Sequence, residues 1–213
     1  MKHWLAFALC WLACGAWAAE NKLEKIEVRA DLPTLERGGE TVMTVCAGCH
    51  SLKYVKFHDL AGLGIAKAKV DGWRGANPMG AAITSQMPAD AALQAFGTVP
   101  PDLSLMAKAR EGGPHYVYAF LAGFYTDDKG KPDNKIFPGT KMPDVMGVGS
   151  ATGAERAAIE NKAKEVASFL EWASDPKAQE RRGLGIYVVA YFMVLTILLY
   201  LVKRRTWARL KSH

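Results

Sequence analysis

The sequence predicts a mainly α-helical domain with long loops, joined to one C-terminal transmembrane helix. Three observations carry that expectation. Apolar residues recur at helical spacing in several segments separated by Gly- and Pro-rich connections, and strand signals are sparse. Residues 183–202 form an uncharged, apolar run that is followed at once by Lys and Arg. A Cys-x-x-Cys-His sequence closes the first helical segment.

The chain ends assign a compartment. Residues 1–19 open with Met1-Lys2-His3, continue through the apolar stretch Trp4 to Trp11, and reach Ala16-Trp17-Ala18. That is the pattern of a secretory signal peptide, cut after Ala18 or Ala19. Cleavage there removes Cys10 and Cys14. A lipoprotein reading through Cys14 is the alternative, but Trp11 stands where such a signal wants a small aliphatic residue. At the other end, Gly183 to Val202 gives about 30 Å of helix at roughly 1.5 Å per residue, enough to cross a bilayer core. A buried core helix would show a polar stripe, and this run shows none. Lys203, Arg204, Arg205, Arg209 and Lys211 place the tail, residues 203–213, in the cytoplasm by the positive-inside rule. Residues 20–182 then form a periplasmic domain tethered to a bacterial inner membrane.

Dividing the chain changes what its charge means. Of 27 Lys plus Arg, one lies in the signal and five in the tail; the 21 that remain equal the 21 acidic residues, all in the exported stretch. The overall +6 reports topology and not nucleic-acid binding.

Within the exported domain, Asp31-Leu32-Pro33-Thr34 precedes a helix with Leu35, Val42 and Val45 on one face, leading into Cys46. Gly38-Gly39 weakens it by propensity while permitting close approach of another helix. Pro101-Asp102-Leu103-Ser104 starts a second helix carrying Met106 and Ala107 as core, capped by Asp102 and ending near Gly112-Gly113. Tyr116 to Phe124 forms a third, and Ala154 to Ala173 a fourth with Val166, Phe169, Leu170 and Ala173 at helical spacing. Residues 62–87 and 126–135 read as polar loops.

Cys46-Ala47-Gly48-Cys49-His50 is the attachment sequence for c-type haem: two thiols form thioethers to the vinyl groups, and the adjacent imidazole reaches the iron. Competing uses of the two thiols are a redox dithiol, which favours a βαβ context, and zinc, which wants two further nearby ligands. His50 takes one axial position. The other falls to a sulfur or imidazole among Met43, Met79, Met87, Met106, Met142, Met146, Met193, His58 and His115. Met193 lies in the membrane run, and Met43 is too close to the motif to reach the opposite haem face. Met142 sits in Phe137-Pro138-Gly139-Thr140-Lys141-Met142-Pro143, an extended loop whose Pro143 restricts it further. Met146 and Met87 stay open behind it, with His58 or His115 after them.

The order helix, Cys-x-x-Cys-His, loops, amphipathic closing helix resembles the class I cytochrome c fold. More specifically, Cys46 to Tyr54, Pro100-Pro101-Asp102-Leu103-Ser104 with Ala109-Arg110, and Phe169-Leu170-Glu171-Trp172 before a C-terminal anchor are similar to the cytochrome c1 family. The resemblance implies the haem c subunit of a quinol:cytochrome c oxidoreductase, a dimeric multisubunit cytochrome bc1 complex. Its partners would be cytochrome b, a Rieske iron-sulfur protein as donor and a cytochrome c as acceptor. It implies one covalent haem c on Cys46 and Cys49, His50 and Met142 as axial ligands, and Arg110 against a propionate. Pro101, Tyr54 and Tyr116 would line the pocket. His/Met ligation fills both axial positions and raises the potential, as befits an electron carrier that is not catalytic alone. Two other readings are a stand-alone membrane-anchored cytochrome c donating to a terminal oxidase, and a membrane-tethered thiol-disulfide or haem-handling protein.

Overall fold

The structure is a computed structural model describing residues 23–210, so the expected signal peptide with Cys10 and Cys14, and Lys211 of the tail, lie outside the described residues. In chain order the elements are α1 (Leu32–Thr41), a π-helical turn (Val42–Cys46), β1 (Leu52–Lys56), α2 (Phe57–Gly62), α3 (Lys67–Arg74), β2 (Ala82–Ile83), α4 (Ala89–Phe96), α5 (Met106–Ala109), α6 (Pro114–Ala122), β3 (Phe124–Thr126), β4 (Pro132–Asn134), α7 (Gly153–Ser174) and α8 (Ala178–Leu210).

Asp31 caps α1 by accepting from the Thr34 amide at 3.1 Å, with Pro33 in the first turn where its missing N–H costs nothing. Gly38 and Gly39 then let α1 cross α7 at contact distance. A Cβ on Gly38 would run into the Glu165 carbonyl, and one on Gly39 would sit 2.9 Å from the Phe169 ring. Arg37 and Glu165 pair at 2.5 Å beside the crossing. Beneath it Leu35 is buried, as are Val42, Val166, Phe169 and Leu170 of the core cluster.

Several boundaries differ from the sequence expectation. The second helix is a single turn, Met106–Ala109, because Asp102 does not cap it. The Asp102 carboxylate instead accepts from the Ser104 amide at 2.8 Å and the Lys53 amide at 2.9 Å, binding the Pro101–Ser104 segment to β1. The third helix begins at Pro114 and ends at Ala122, and Phe124 belongs to β3. Residues 62–87 contain α3, held to α1 by Lys69 between Glu36 and Glu40, 3.0 Å from each, and β2, which pairs with β1. Residues 126–135 hold a hairpin in which Phe124 faces Asn134 and Thr126 faces Pro132, with Asp127 closing the turn by accepting from Lys129 and Lys131 amides. The second sheet, β1 with β2, is antiparallel with a bulge between Leu52 and Lys56.

After α7 the chain turns at Asp175 and continues as α8, which runs past both ends of the apolar run that predicts it. Among the described residues α8 is the one helix long and apolar enough to cross a membrane, from Glu180 to Ala208, and that window is not buried in the protein. None of its described side chains belongs to the core cluster. The Asp175 carboxylate receives Lys108 Nζ at 2.6 Å and the Arg181 guanidinium, joining α5, the α7 end and the start of α8.

Candidate haem site

The π-helical turn delivers the motif. Its wider winding lets the Ala47 amide donate to the Val42 carbonyl at 2.8 Å, and the amides of Cys49 and His50 then turn back onto the Cys46 carbonyl at 3.1 and 2.9 Å. Cys46, Cys49 and His50 thereby face one apolar cleft of about 300 Å³, within the range of small-molecule and cofactor pockets. Ser85 supports the motif from behind, its hydroxyl donating to the Gly48 carbonyl at 3.1 Å.

His50 is nearly buried, and its Nδ1 lies 2.7 Å from the Pro101 carbonyl oxygen. A carbonyl only accepts, so Nδ1 carries the proton and Nε2 keeps its lone pair for a metal. The Leu103 amide donates to the Ser51 carbonyl at 2.8 Å, so the whole Pro100–Leu103 segment lies along the motif. Met106 follows on that same wall, its amide on the Leu103 carbonyl at 3.2 Å; it lines the cleft as well as packing on the core. Burial pushes the Cys46 thiol up to about 11, with the neighbouring Cys49 adding a smaller push. A buried, protonated thiol is the opposite of the activated thiolate that disulfide exchange requires.

The facing walls come from elsewhere. Helix α6 supplies Tyr116, Val117, Phe120 and Leu121, α7 supplies Val166 and Leu170, and the loop before α7 supplies Phe137, Met142, Pro143 and Val145. The charged side chains in the lining are Arg110 and Lys141, both cationic and exposed. Arg110 also stands 5.9 Å over the Tyr116 ring.

The structure therefore brings Cys46, Cys49, His50, Pro101, Arg110, Tyr116 and Met142 to one cleft. Tyr54 is not among them. It is 71% exposed on β1, because the strand buries Leu52 and Val55 and turns Tyr54 to the other side. The alternative ligands are also elsewhere: His58 pairs with Asp59 at the surface, His115 Nδ1 accepts from the Ile26 amide at 3.1 Å, and neither Met87 nor Met146 lines the cleft. Sequence reasoning missed Phe96 and Phe120 as wall residues because on helices α4 and α6 they look like ordinary core aromatics, and Phe137 and Lys141 because their loop carries no periodic signal. It also missed Asn134, fully buried, whose Nδ2 donates to the Phe120 carbonyl at 2.7 Å.

The donor set suits haem c. Two thiols and an imidazole come from one segment, a thioether from a separate loop lines the same cleft, most of the remaining surface is apolar, and two exposed cations in the lining match two carboxylates. A helical domain closed by the α1–α7 crossing over such a cleft, with one apolar C-terminal helix, defines a membrane-anchored cytochrome c-like protein. Residues 17–82 and 73–210 match the cytochrome C1 family, and the chain belongs to that family. It is 30% identical to cytochrome c1 of Rhodospirillum rubrum, over 86% of this chain and 84% of that one. Identity to cytochrome c1 of Allochromatium vinosum is 33%, covering 83% and 84%. The mitochondrial cytochrome c1 heme protein of Kluyveromyces lactis is 29% identical, covering 92% and 76%. Membership makes this a c-type haem protein of electron transport.

Proposed function

We propose that this protein is the monohaem electron-transfer subunit of a cytochrome bc1 complex, taking electrons from a Rieske iron-sulfur protein and passing them to a soluble or membrane-bound cytochrome c. The observation that carries the reading is the convergence of Cys46, Cys49, His50 and Met142 on one apolar cleft in a chain of this family. Haem c supplies a one-electron ferric/ferrous couple. Cys46 and Cys49 hold it through two thioethers, and His50 offers Nε2, its ring plane fixed by the Pro101 carbonyl. Met142 offers a thioether sulfur from the opposite loop, a soft donor that favours the ferrous state and raises the potential. Phe120, Val166 and Leu170 keep water from the site. Arg110 and Lys141 pair with the propionate carboxylates, each at an exposed rim where the charge is partly screened.

In this reading the signal peptide is removed, the haem domain faces the periplasm, α8 crosses the inner membrane once, and the basic tail faces the cytoplasm. The remaining chemistry, quinol oxidation, belongs to cytochrome b in a dimeric assembly. The test is purification of the membrane complex with haem staining on a denaturing gel and a pyridine haemochrome spectrum. One covalent haem c co-purifying with cytochrome b and a Rieske protein supports the reading. An isolated haem protein delivering electrons to an oxidase replaces the complex subunit with a stand-alone carrier. Titratable thiols at Cys46 and Cys49 in place of covalent haem overturn both.

A further inference from the structure

The loop that carries Met142 is tied at both ends to the last turn of α6. At its start, Asn134 accepts the Ile136 and Phe137 amides on Oδ1, at 2.9 and 3.1 Å, while its Nδ2 donates to the Phe120 carbonyl at 2.7 Å. At its end, Arg156 donates from Nη1 to the Val148 carbonyl and from Nη2 to the Ala122 carbonyl, each at 3.1 Å, and from Nε to Glu160 at 2.9 Å. Between these ties Asp144 closes the loop on itself by accepting from the Gly149 amide at 2.6 Å. Asn134 and Val148 are fully buried.

We infer that Asn134 and Arg156 are positioning residues for the Met142 sulfur, a two-point clamp that uses the C-terminal carbonyls of α6 as its anchor. The inference rests on the reading of Met142 as the sixth ligand. The physical case begins with helix ends. At the C-terminal end of α6 the Phe120 carbonyl accepts the Gly123 amide at 3.2 Å and takes Asn134 on its second lone pair, the Ala122 carbonyl takes Arg156, and a cation or amide donor there is favoured by both hydrogen bonding and the helix dipole. Helix α6 also forms the cleft wall through Tyr116, Phe120 and Leu121, so the same two residues set loop and wall in one frame.

Within the loop the other ties are short-range, the Gly139 amide donating to Asp133 at 2.7 Å and the Met142 amide to the Thr140 hydroxyl at 3.3 Å. Gly139 and Gly147 adopt positive φ angles of 75° and 74°, Phe137 and Val145 are exposed, and Met142 is only half-buried. Such a segment samples many conformations, whereas ligation needs the sulfur held in one place. The guanidinium reaches three partners on three elements with a planar fork, and lysine cannot reproduce that pattern. Side chain to main-chain ties of this kind fix backbone position without restricting the side chain at Met142.

The test uses full-length holoprotein in detergent and reads ligand exchange. Imidazole binds ferric haem by displacing the sulfur, so its apparent affinity rises with the fraction of time the sulfur is detached. Arg156→Gln is expected to bind imidazole at least tenfold more tightly than the parent and to lose intensity in the sulfur-to-iron charge-transfer band at the red end of the spectrum. Asn134→Ala is expected to move the same way, and Arg156→Lys to fall between. Arg37→Gln, which cuts the Arg37–Glu165 pair at the α1–α7 crossing, serves as the control for general loosening. It should lower the unfolding midpoint with imidazole affinity unchanged. Faster amide exchange at Gly149 and Ala151 in Arg156→Gln is the accompanying structural readout.

Parent-like imidazole affinity in both Arg156→Gln and Asn134→Ala overturns the clamp, as does an equal rise in Arg37→Gln. If Arg156→Gln does not accumulate with haem, Arg156→Lys supplies the measurement, and parent-like exchange there together with parent-like Asn134→Ala is again the overturning result. Met142→Gly separates the two levels. Loss of the charge-transfer band in that variant with parent-like exchange in the clamp variants sinks the clamp alone. A band that survives Met142→Gly sinks the ligand assignment and the clamp with it.

Discussion

His50 Nδ1 lies 2.7 Å from the Pro101 carbonyl oxygen, and Asp102, next in the chain, holds that carbonyl in place through the Ser104 and Lys53 amides. The ring proposed as the iron ligand is thus oriented by a backbone group whose own position depends on a carboxylate. Asp102→Ala removes two hydrogen bonds to a half-exposed carboxylate, and at roughly 1 kcal/mol each for bonds partly open to water the domain should lose about 2 kcal/mol. Freed from its fixed acceptor, His50 donates less effectively and its Nε2 becomes a poorer donor to iron, which favours the ferrous state. A raised midpoint potential with the Met142 charge-transfer band intact is the expected outcome, measured by spectroelectrochemical titration. A lowered potential would contradict the role given to the Pro101 carbonyl.

The long, periodic elements were legible before any coordinates, and their ends much less so. Val166, Phe169, Leu170 and Ala173 mark α7 by spacing alone, and α7 runs within a residue of its expected bounds. The second helix shrank because Asp102 uses its carboxylate on β1, a contact 49 residues away in sequence that no local pattern shows. Tyr54 was misplaced for a related reason. A bulge in β1 decides which side each residue faces, and a five-residue strand gives too few positions to read its alternation. In the cleft, Cys46, Cys49 and His50 were visible because attachment of a haem through two thioethers requires that spacing, and the fold does bring the three to one cleft. Asn134 and Arg156 were invisible because a side chain that holds backbone carbonyls needs only the right fold around it.

Gly38 makes the α1–α7 crossing sensitive to a single methyl group. Gly38→Ala gains less than about 1 kcal/mol of helix propensity, while the new Cβ meets the Glu165 carbonyl, a backbone atom that cannot rotate away. Overpacking of this kind costs roughly 1–3 kcal/mol. Net destabilisation should appear in denaturant unfolding of the holoprotein. Gly62→Ala, at the end of α2 with nothing within 4 Å of the added atom, gains propensity without the clash and should hold or raise stability, by up to about 1 kcal/mol. Equal midpoints for the two variants would show that the crossing relaxes to accept the methyl.

Asp175 gives the junction between haem domain and anchor a pH dependence. The Arg181 guanidinium, and after it Lys108, hold its carboxyl well below the usual carboxylate range. Its folded pKa therefore lies below its unfolded value of about 3.9, so the stabilisation is present above that value and is lost as pH falls through the folded one. Asp175→Asn should be less stable than the parent near neutral pH, and the gap should close in strong acid. Because Arg181 and Lys108 are about half exposed, raised salt should shrink the gap at neutral pH. A gap that is unchanged from neutral pH down to strong acid would assign the loss to packing instead of charge.

Helix α8 contributes nothing to the core of the haem domain, so anchoring and haem binding should separate. Ending the chain after Lys177 removes α8 and leaves every residue of the cleft in place. The truncated protein should carry covalent haem with a parent spectrum and appear in the soluble periplasmic fraction. The anchor's own margin follows from its composition. About a dozen strongly apolar residues between 183 and 202, at roughly −0.3 to −0.6 kcal/mol each near the helix centre, give an insertion free energy on the order of −4 to −7 kcal/mol. One central arginine costs about 3 kcal/mol, so Val194→Arg should still fractionate with membranes. Adding Ile197→Arg costs about 3 kcal/mol more and should bring insertion to balance or beyond, releasing a large share of the protein on carbonate washing. Retention of the double variant would mean that partner helices hold α8 in the bilayer, and the same wash on the protein expressed without its partner subunits would then release it.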